Sequence, residues 1–236
     1  MKPVYLIASN FVREQRWPIL VLLLWVLGLA ALGASLDIRN SRDDVVLLFK
    51  QLAIYGIAFS VFFGASAIHN ERKSRRILAV LSKAVTRRQY IAGLLSGVAF
   101  ASTLYCFAMG LTGSWVLGQF GFPPRQLWLL MAALLASSLL GASVAVFFSV
   151  FLNPLFATAA TLVFLGTPGI VAQVLGHGWG YAIPVYPLMD TFMRFSFESP
   201  PSLGWAPVIL GFVEAVLMWL AASSLFHWKD VAVAVE

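Results

Sequence analysis

Long apolar runs separated by short polar segments make up most of this chain. The first run, residues 17–36, carries no charge. A helix of that length crosses the roughly 30 Å hydrocarbon core of a bilayer at 1.5 Å per residue. The same pattern predicts further spans at residues 45–68, 90–117, 127–152, 155–175 and 207–228. The sequence therefore predicts an all-α, polytopic membrane protein of six transmembrane helices, with residues 1–236 forming one domain.

Two turn signals divide the second half of the chain. Gly121-Phe122-Pro123-Pro124 ends the third span. Residues 126–189 contain no Asp, Glu, Lys or Arg, and Asn153-Pro154 interrupts them near the middle. Because this stretch is too long for one helix, we expect a span on each side of Asn153. Residues 176–205, rich in Gly, Pro and aromatic residues, predict a structured loop at the membrane interface.

The segment before the first span, residues 3–16, has an amphipathic pattern. Val4, Ile7 and Phe11 recur at helical spacing, while Arg13 and Arg16 lie on the opposite face together with Lys2. Such a helix lies in the headgroup plane with its cations toward anionic lipid. A short soluble lead-in is the alternative interpretation.

Composition and charge agree with a membrane protein. Hydrophobic residues make up 60% of the chain and charged residues 11%, against about 25% charged in soluble domains. The net charge of +6 arises in short segments between apolar runs, a pattern of membrane orientation rather than of nucleic-acid binding. With six spans, eleven of the 16 Lys and Arg residues fall on one side. The positive-inside rule therefore predicts cytoplasmic termini in a multi-pass protein of the plasma membrane, the inner membrane in a prokaryote.

Catalytic and metal chemistry find little support in the sequence. Cys106 is the sole cysteine and His177 is an isolated histidine, so we expect no disulfide and no metal site. An intramembrane serine protease would pair a membrane serine with a histidine. Ser66 and Ser143, however, lie in small-residue patterns that are typical of helix packing. We therefore predict no catalytic residue.

One acidic residue lies inside a predicted span. Glu214 is about one third of the way along the last span, where a charge costs several kcal/mol unless it is paired or protonated. We expect Glu214 to line a pathway or a subunit interface. A carboxylate near the outer headgroups, with no specific task, is the alternative.

The most charged segment is the loop at residues 69–90. Ile77, Leu78 and Leu81 form an apolar stripe, which predicts a short amphipathic helix on the cytoplasmic face. Thr86-Arg-Arg-Gln89 then has the pattern of a capping box at the start of the third span. Two explanations fit this loop equally: it docks another protein, or its seven cations fix the topology and contact anionic lipid.

The order of residues in this loop follows a known pattern. Glu71 is followed by Arg75-Arg76-Ile77-Leu78, by Leu81-Ser82-Lys83, and then by Arg87, Tyr90 and Gly93. This order resembles the first cytoplasmic loop of ABC-2-type permeases, with its acidic residue, aliphatic stretch, "L-S-K-P-V-S-R" and "Y-x-x-G-K". Arg75-Arg76 replaces the family's glycine-threonine, and Ala84, Thr86 and Leu94 stand where its proline, serine and lysine are common.

The rest of the chain supports the resemblance. Six spans and an amphipathic N-terminal helix, similar to the family's connecting helix, match the expected organisation. Tyr181-Ala-Ile-Pro184, before the last span, is similar to a "Y-x-x-P" signature of these permeases.

The resemblance implies the membrane subunit of an ATP-binding cassette transporter, an exporter rather than an importer. In that family the first cytoplasmic loop is the coupling helix, which inserts into a groove of the ATPase subunit. The corresponding residues are Glu71, Arg72, Ser74, Arg75, Arg76, Ile77, Leu78, Leu81 and Ser82.

The resemblance also implies partners. The chain has no G-x-x-x-x-G-K-[ST] motif, so ATP and Mg would be bound by separate cytoplasmic ATPase subunits, and this chain would hold no cofactor. A second permease copy, identical or related, would complete the pathway. A non-transporting structural or assembly subunit of a larger membrane complex is the alternative function.

Overall fold

The computed structural model describes residues 2–35, 42–73, 85–176 and 205–228. Within these ranges there is no strand, so the predicted all-α class is confirmed for this part of the chain. The predicted interface loop, including Tyr181-Ala-Ile-Pro184, lies almost wholly outside it. The described ranges contain seven α-helices: α1 (Lys2–Glu14), α2 (Arg16–Ser35), α3 (Arg42–Lys73), α4 (Arg87–Val116), α5 (Pro124–Ser149), α6 (Pro154–Leu175) and α7 (Ala206–Trp228).

Among the residues that the structure describes, five stretches are long and apolar enough to cross a membrane. They are Asp44–His69, Arg87–Phe120, Pro124–Ser149, Pro154–Leu175 and Ala206–Phe226. In α2 the apolar stretch is shorter, Arg16–Leu29, when only residues with described side chains are considered. The five stretches indicate a multi-pass membrane protein.

Local sequence explains where α5 and α6 begin. Gly121 adopts a left-handed conformation with φ of 73°, which glycine tolerates best, and Pro124 then occupies the first turn of α5. Asn153 caps α6 by accepting a hydrogen bond from the Phe156 backbone N–H at 3.1 Å. The predicted division of the uncharged stretch at Asn153-Pro154 is thus confirmed.

Helix α5 is the centre of the bundle. It contacts α3, α4, α6 and α7, and 83% of its apolar span is buried within the chain. By contrast, only 24% of the α6 span is buried, so α6 is peripheral. A helix that is apolar all round can be covered by protein on every side or by lipid. The two helices illustrate these two cases.

Small residues bring α3 and α5 together. A Cβ atom placed on Gly64 would lie 2.5 Å from the carbonyl oxygen of Ala142, and one on Gly141 would lie 2.9 Å from the Val61 side chain. Contacts this short exist only because the glycines have no side chain, which is how small residues allow membrane helices to approach. The interpretation of these patterns as helix packing is confirmed.

Hydrogen bonds join α3 to α4. The hydroxyl groups of Ser60 and Ser102 are 2.9 Å apart, and the Tyr105 hydroxyl donates to the backbone carbonyl of Leu52. Such bonds avoid leaving a buried polar group unsatisfied in an apolar environment. At these positions of the α3–α4 interface, the buried hydroxyl groups therefore have hydrogen-bond partners.

One of two hydrophobic clusters lies at one end of the bundle. We call this end the basic end, because the arginine-rich segment between α3 and α4 begins and ends there. The buried residues of its cluster include Phe11, Ile68, Tyr90, Val150 and Phe226. The larger cluster extends along the rest of the bundle to the opposite end, where it includes Val45, Leu117, Leu127 and Val208. Helices α3, α5 and α7 thus end at the basic end, whereas α4 begins there.

Candidate functional site at the basic end

The predicted coupling segment falls mostly outside the described residues. Ser74, Arg75, Arg76, Ile77, Leu78, Leu81 and Ser82 all lie there. Glu71 and Arg72 belong to the last turn of α3, which continues to Lys73 and so passes the predicted end of the second span at residue 68. The apolar pattern stops at that point, but Glu, Arg and Lys are good helix formers and carry the helix further.

The chain enters α4 through a capping box. The Thr86 hydroxyl accepts a hydrogen bond from the Gln89 backbone N–H at 3.3 Å. The Gln89 side-chain oxygen accepts one from the Thr86 backbone N–H at 3.2 Å. Val85 packs against the cluster of the basic end, to which Tyr90 belongs. These contacts fix the point at which the arginine-rich segment ends.

Arg87, in the first turn of α4, contacts the last turn of α7. Its Nη1 atom donates a hydrogen bond to the backbone carbonyl of Phe226 at 2.8 Å, and its guanidinium carbon lies 5.8 Å from the centre of the Phe226 ring. The last carbonyl groups of a helix have no partner within the helix and carry partial negative charge. Arg87 satisfies one of them with a full positive charge.

Tyr90 strengthens the same connection. Its ring stacks on that of Phe226, with centroids 6.2 Å apart and planes inclined by 18°. Arg87 and Tyr90 together join the beginning of α4 to the end of α7 through one residue. Sequence reasoning missed this connection, because its partners are 139 positions apart and no local pattern links them.

Helix α1 packs on the first half of α4 through two glycines. A Cβ atom on Gly93 would lie 2.6 Å from Ile7 Cβ, and one on Gly97 would lie 2.6 Å from a ring carbon of Phe11. Gly93 and Gly97 form a G-x-x-x-G pattern, which is a recognised signal for close helix packing. The amphipathic helix is therefore seated at the basic end by contacts with α4.

A groove remains between α1 and α4 beside these glycines. Its volume is about 610 Å³, and it is open on one side. Its walls are Val4, Tyr5, Ala8, Ser9, Val12, Ser96 and Phe100. The groove therefore offers an apolar surface with a few hydroxyl groups and no charge from the residues that line it.

Glu214 lies within α7 and is buried in the bundle. Only 7% of its surface is exposed, and neither carboxylate oxygen has a hydrogen-bond partner in the part of the chain that the structure describes. This placement disfavours a carboxylate exposed among headgroups. An isolated acidic residue inside a span is a default candidate for a functional group.

Other candidate chemistry is absent from the four described ranges. They contain no group of three His, Cys, Asp or Glu residues that could hold a metal ion. The Ser66 hydroxyl donates to the Phe63 carbonyl within its own helix at 3.3 Å, and His177 lies outside these ranges. Ser66 has therefore no histidine partner among these residues.

Comparison with known proteins adds no relative. No model of a protein family, no curated protein and no solved structure matches this chain. The assignment of function therefore depends on the residues of the basic end and on the resemblance of the segment that leads into α4.

Proposed function

We propose that this chain is the permease subunit of an ATP-binding cassette transporter of the ABC-2 type, acting as an exporter. The observation that carries the proposal is the contact of Arg87 and Tyr90 with Phe226. This contact connects the end of the arginine-rich segment rigidly to both α4 and α7. A force applied to that segment would therefore reach α4 and α7 together.

The proposal includes α2 as a sixth span. Helix α2 has 20 residues, equivalent to about 30 Å along its axis. Ile19, Leu22 and Val26 are buried against the bundle, so one face of α2 packs on the other helices. An apolar helix of this length that packs along the bundle is consistent with a membrane crossing.

Charge distribution supports a cytoplasmic orientation of the basic end. Helix α1, the end of α3, the start of α4 and the end of α7 contribute to that end, as an even number of spans requires. Eleven of the 16 Lys and Arg residues lie in the segments that join or flank these elements. Under the positive-inside rule both termini are cytoplasmic, in the plasma membrane or a prokaryotic inner membrane.

In the proposed mechanism, residues 71–82 dock into a cytoplasmic ATPase subunit. ATP and Mg are bound by that partner, so this chain is not itself an enzyme. Closure of two ATPases would draw the docked segments together and shift the permease between two access states. The Thr86 cap and the Arg87 contact would pass this movement to α7, which carries Glu214. A second copy of the permease would supply the other half of the pathway, and membrane lipid would fill the groove beside α1.

Cross-linking in the native host tests the proposal. A cysteine at Leu78, in a chain whose Cys106 is replaced by alanine, is expected to cross-link to a cytoplasmic protein that contains G-x-x-x-x-G-K-[ST] and hydrolyses ATP. Replacing Ile77, Leu78 and Leu81 with Asp should abolish copurification of that ATPase, because charge on the apolar stripe prevents docking. Asp at Gln119, an exposed polar residue just beyond α4 at the other end of the bundle, is the control and should not affect it.

Two results would contradict the proposal. One is undiminished recovery of the ATPase with the triple Asp variant. The other is a stable native complex that contains this chain and no ATPase, which would favour the structural or assembly subunit.

A further inference from the structure

We propose that Glu214 is a proton-binding site that controls how α7 packs in the bundle. In the packed arrangement seen here the side chain holds a proton, and it releases that proton when α7 moves and the site opens to water. The ligand is the proton itself, since the residue is almost completely enclosed by the protein. The consequence is an equilibrium between two arrangements of α7 that depends on pH.

Two helix interfaces of the bundle differ in how well their buried polar groups are satisfied. Between α3 and α4, the buried hydroxyls of Ser60, Ser102 and Tyr105 all have hydrogen-bond partners. On α7, buried polar atoms of three side chains have none among the described residues: the Glu214 carboxylate oxygens, Trp219 Nε1 and Ser223 Oγ. Buried polar groups are nearly always satisfied, so each exception needs an explanation. A second arrangement of α7 in which these groups reach water, substrate or another helix explains all three.

In the described part of the chain, Glu214 has no hydrogen-bonded cation that would compensate a negative charge. Helix α7 packs against α5 and α4. In α5 the only ionisable residue is Arg125, which is exposed in the first turn. The ionisable residues of α4 are Arg87, Arg88, Tyr90, Tyr105 and Cys106, and on α7 itself the other one is His227 in the last turn. None of these residues forms a hydrogen bond with Glu214, whose two carboxylate oxygens have no partner in the described part of the chain.

These surroundings decide the protonation state. Burying an ionised carboxylate without a cation or hydrogen-bond donors costs far more free energy than burying the neutral acid. The packed arrangement therefore binds a proton, and an arrangement that admits water does not need one. By linkage, a rise in pH shifts the population toward the arrangement that has released the proton.

The inference does not require the ATPase. It concerns the packing of α7 within this chain, so it can be tested on the purified chain alone. If the chain has no ATPase partner, the pH dependence of α7 remains. If the pH dependence is missing, the docking of residues 71–82 to an ATPase is unaffected. The two proposals therefore fail separately.

The test uses a cysteine reporter beside Glu214. Ala215 is 6% exposed and is replaced by cysteine in a Cys106→Ala chain, purified in lipid nanodiscs. Alkylation by N-ethylmaleimide is measured at about pH 6 and about pH 9. We expect the alkylation rate at about pH 9, divided by that at about pH 6, to be about tenfold larger in the chain with Glu214 than in the E214Q chain. Ionisation of the reporter thiol contributes to both ratios, and a negative charge on the neighbouring Glu214 would lower rather than raise the alkylation rate. E214D should retain the pH dependence.

Equal ratios in the two chains would overturn the proposal. Infrared spectroscopy supplies a second readout that does not need E214Q to fold. In the unsubstituted chain at neutral pH, we expect the carbonyl band of a buried carboxylic acid, lost at alkaline pH and shifted in frequency by E214D. The absence of such a band at neutral pH would also overturn the proposal.

Discussion

At the scale of single residues, Thr86 determines where α4 begins. Its side chain accepts the Gln89 N–H, one of the donors that a helix start leaves without a partner. Thr86→Ala should lower the free energy of unfolding by about 1 kcal/mol, whereas Thr86→Ser should preserve it. Unfolding in mixed detergent micelles measures the change. Thr103→Ala is the control, because that exposed hydroxyl bonds only to the carbonyl one turn earlier, and its effect should stay within about 0.5 kcal/mol.

Arg87 and Arg88 are adjacent but have different surroundings. Arg87 binds the Phe226 carbonyl, whereas the Arg88 side chain is exposed. Arg87→Ala should therefore cost about 1.5–3 kcal/mol, as expected for a hydrogen bond to a charged group, and Arg88→Ala almost nothing. Amide hydrogen exchange should also accelerate in the last turn of α7 in the Arg87 variant alone. Equal effects of the two substitutions would show that the contact with Phe226 contributes no stability.

At the scale of elements, the glycines of α4 determine the position of α1. Valine at Gly97 would overlap the Phe11 ring, so Gly97→Val should displace α1 from α4. Spin labels on cysteines at Ser9 and Ser96, which line the same groove, report the separation. We expect a short, narrow distance distribution in the parent chain and a longer, broader one in the variant. Gly28→Val is the control, since nothing lies within 4 Å of a Cβ atom at Gly28. An unchanged distribution in Gly97→Val would contradict this packing.

The contact between α3 and α5 allows a similar test with a smaller side chain. Even a methyl group on Gly64 would lie too close to the Ala142 carbonyl, which is backbone and cannot rotate away. Gly64→Ala should therefore destabilise the bundle by about 1–3 kcal/mol. Gly166→Ala, at a position with open space around it on α6, should be neutral or slightly stabilising. The test is the free energy of unfolding of the two variants. Equal values would contradict the close contact between Gly64 of α3 and Ala142 of α5.

Local sequence predicts where several helices begin, and the structure agrees at those positions. Asn153-Pro154 and Thr86-Arg-Arg-Gln89 are examples, since caps act through backbone groups only three residues away. The predicted second span, residues 45–68, corresponds to the apolar stretch Asp44–His69, and α3 continues beyond it to Lys73 because Glu, Arg and Lys are good helix formers. The G-x-x-x-G pattern of Gly93 and Gly97 is a local signal from which close packing of another helix on α4 could be predicted. The Arg87–Phe226 contact was not, because only the folded chain brings the two residues together.

At the scale of the whole molecule, the folded chain collects distant segments at one end. Helix α1, the end of α3, the start of α4 and the end of α7 all contribute to the basic end, although they span nearly the full sequence. Hydropathy alone predicts alternating spans, but it does not predict which helix lies in the centre. That role belongs to α5, which has small residues such as Gly141 and Ala142 for close contact with its neighbours.

The central claim is that the basic end faces the cytoplasm, where an ATPase can reach residues 71–82. Cysteine labelling tests it most directly, using a Ser74→Cys chain without Cys106 and a maleimide that does not cross membranes. We predict no labelling in intact cells and full labelling in inside-out vesicles. A cysteine at Gln119, at the opposite end of α4, should give the reverse pattern. Labelling of Ser74→Cys in intact cells would contradict the account.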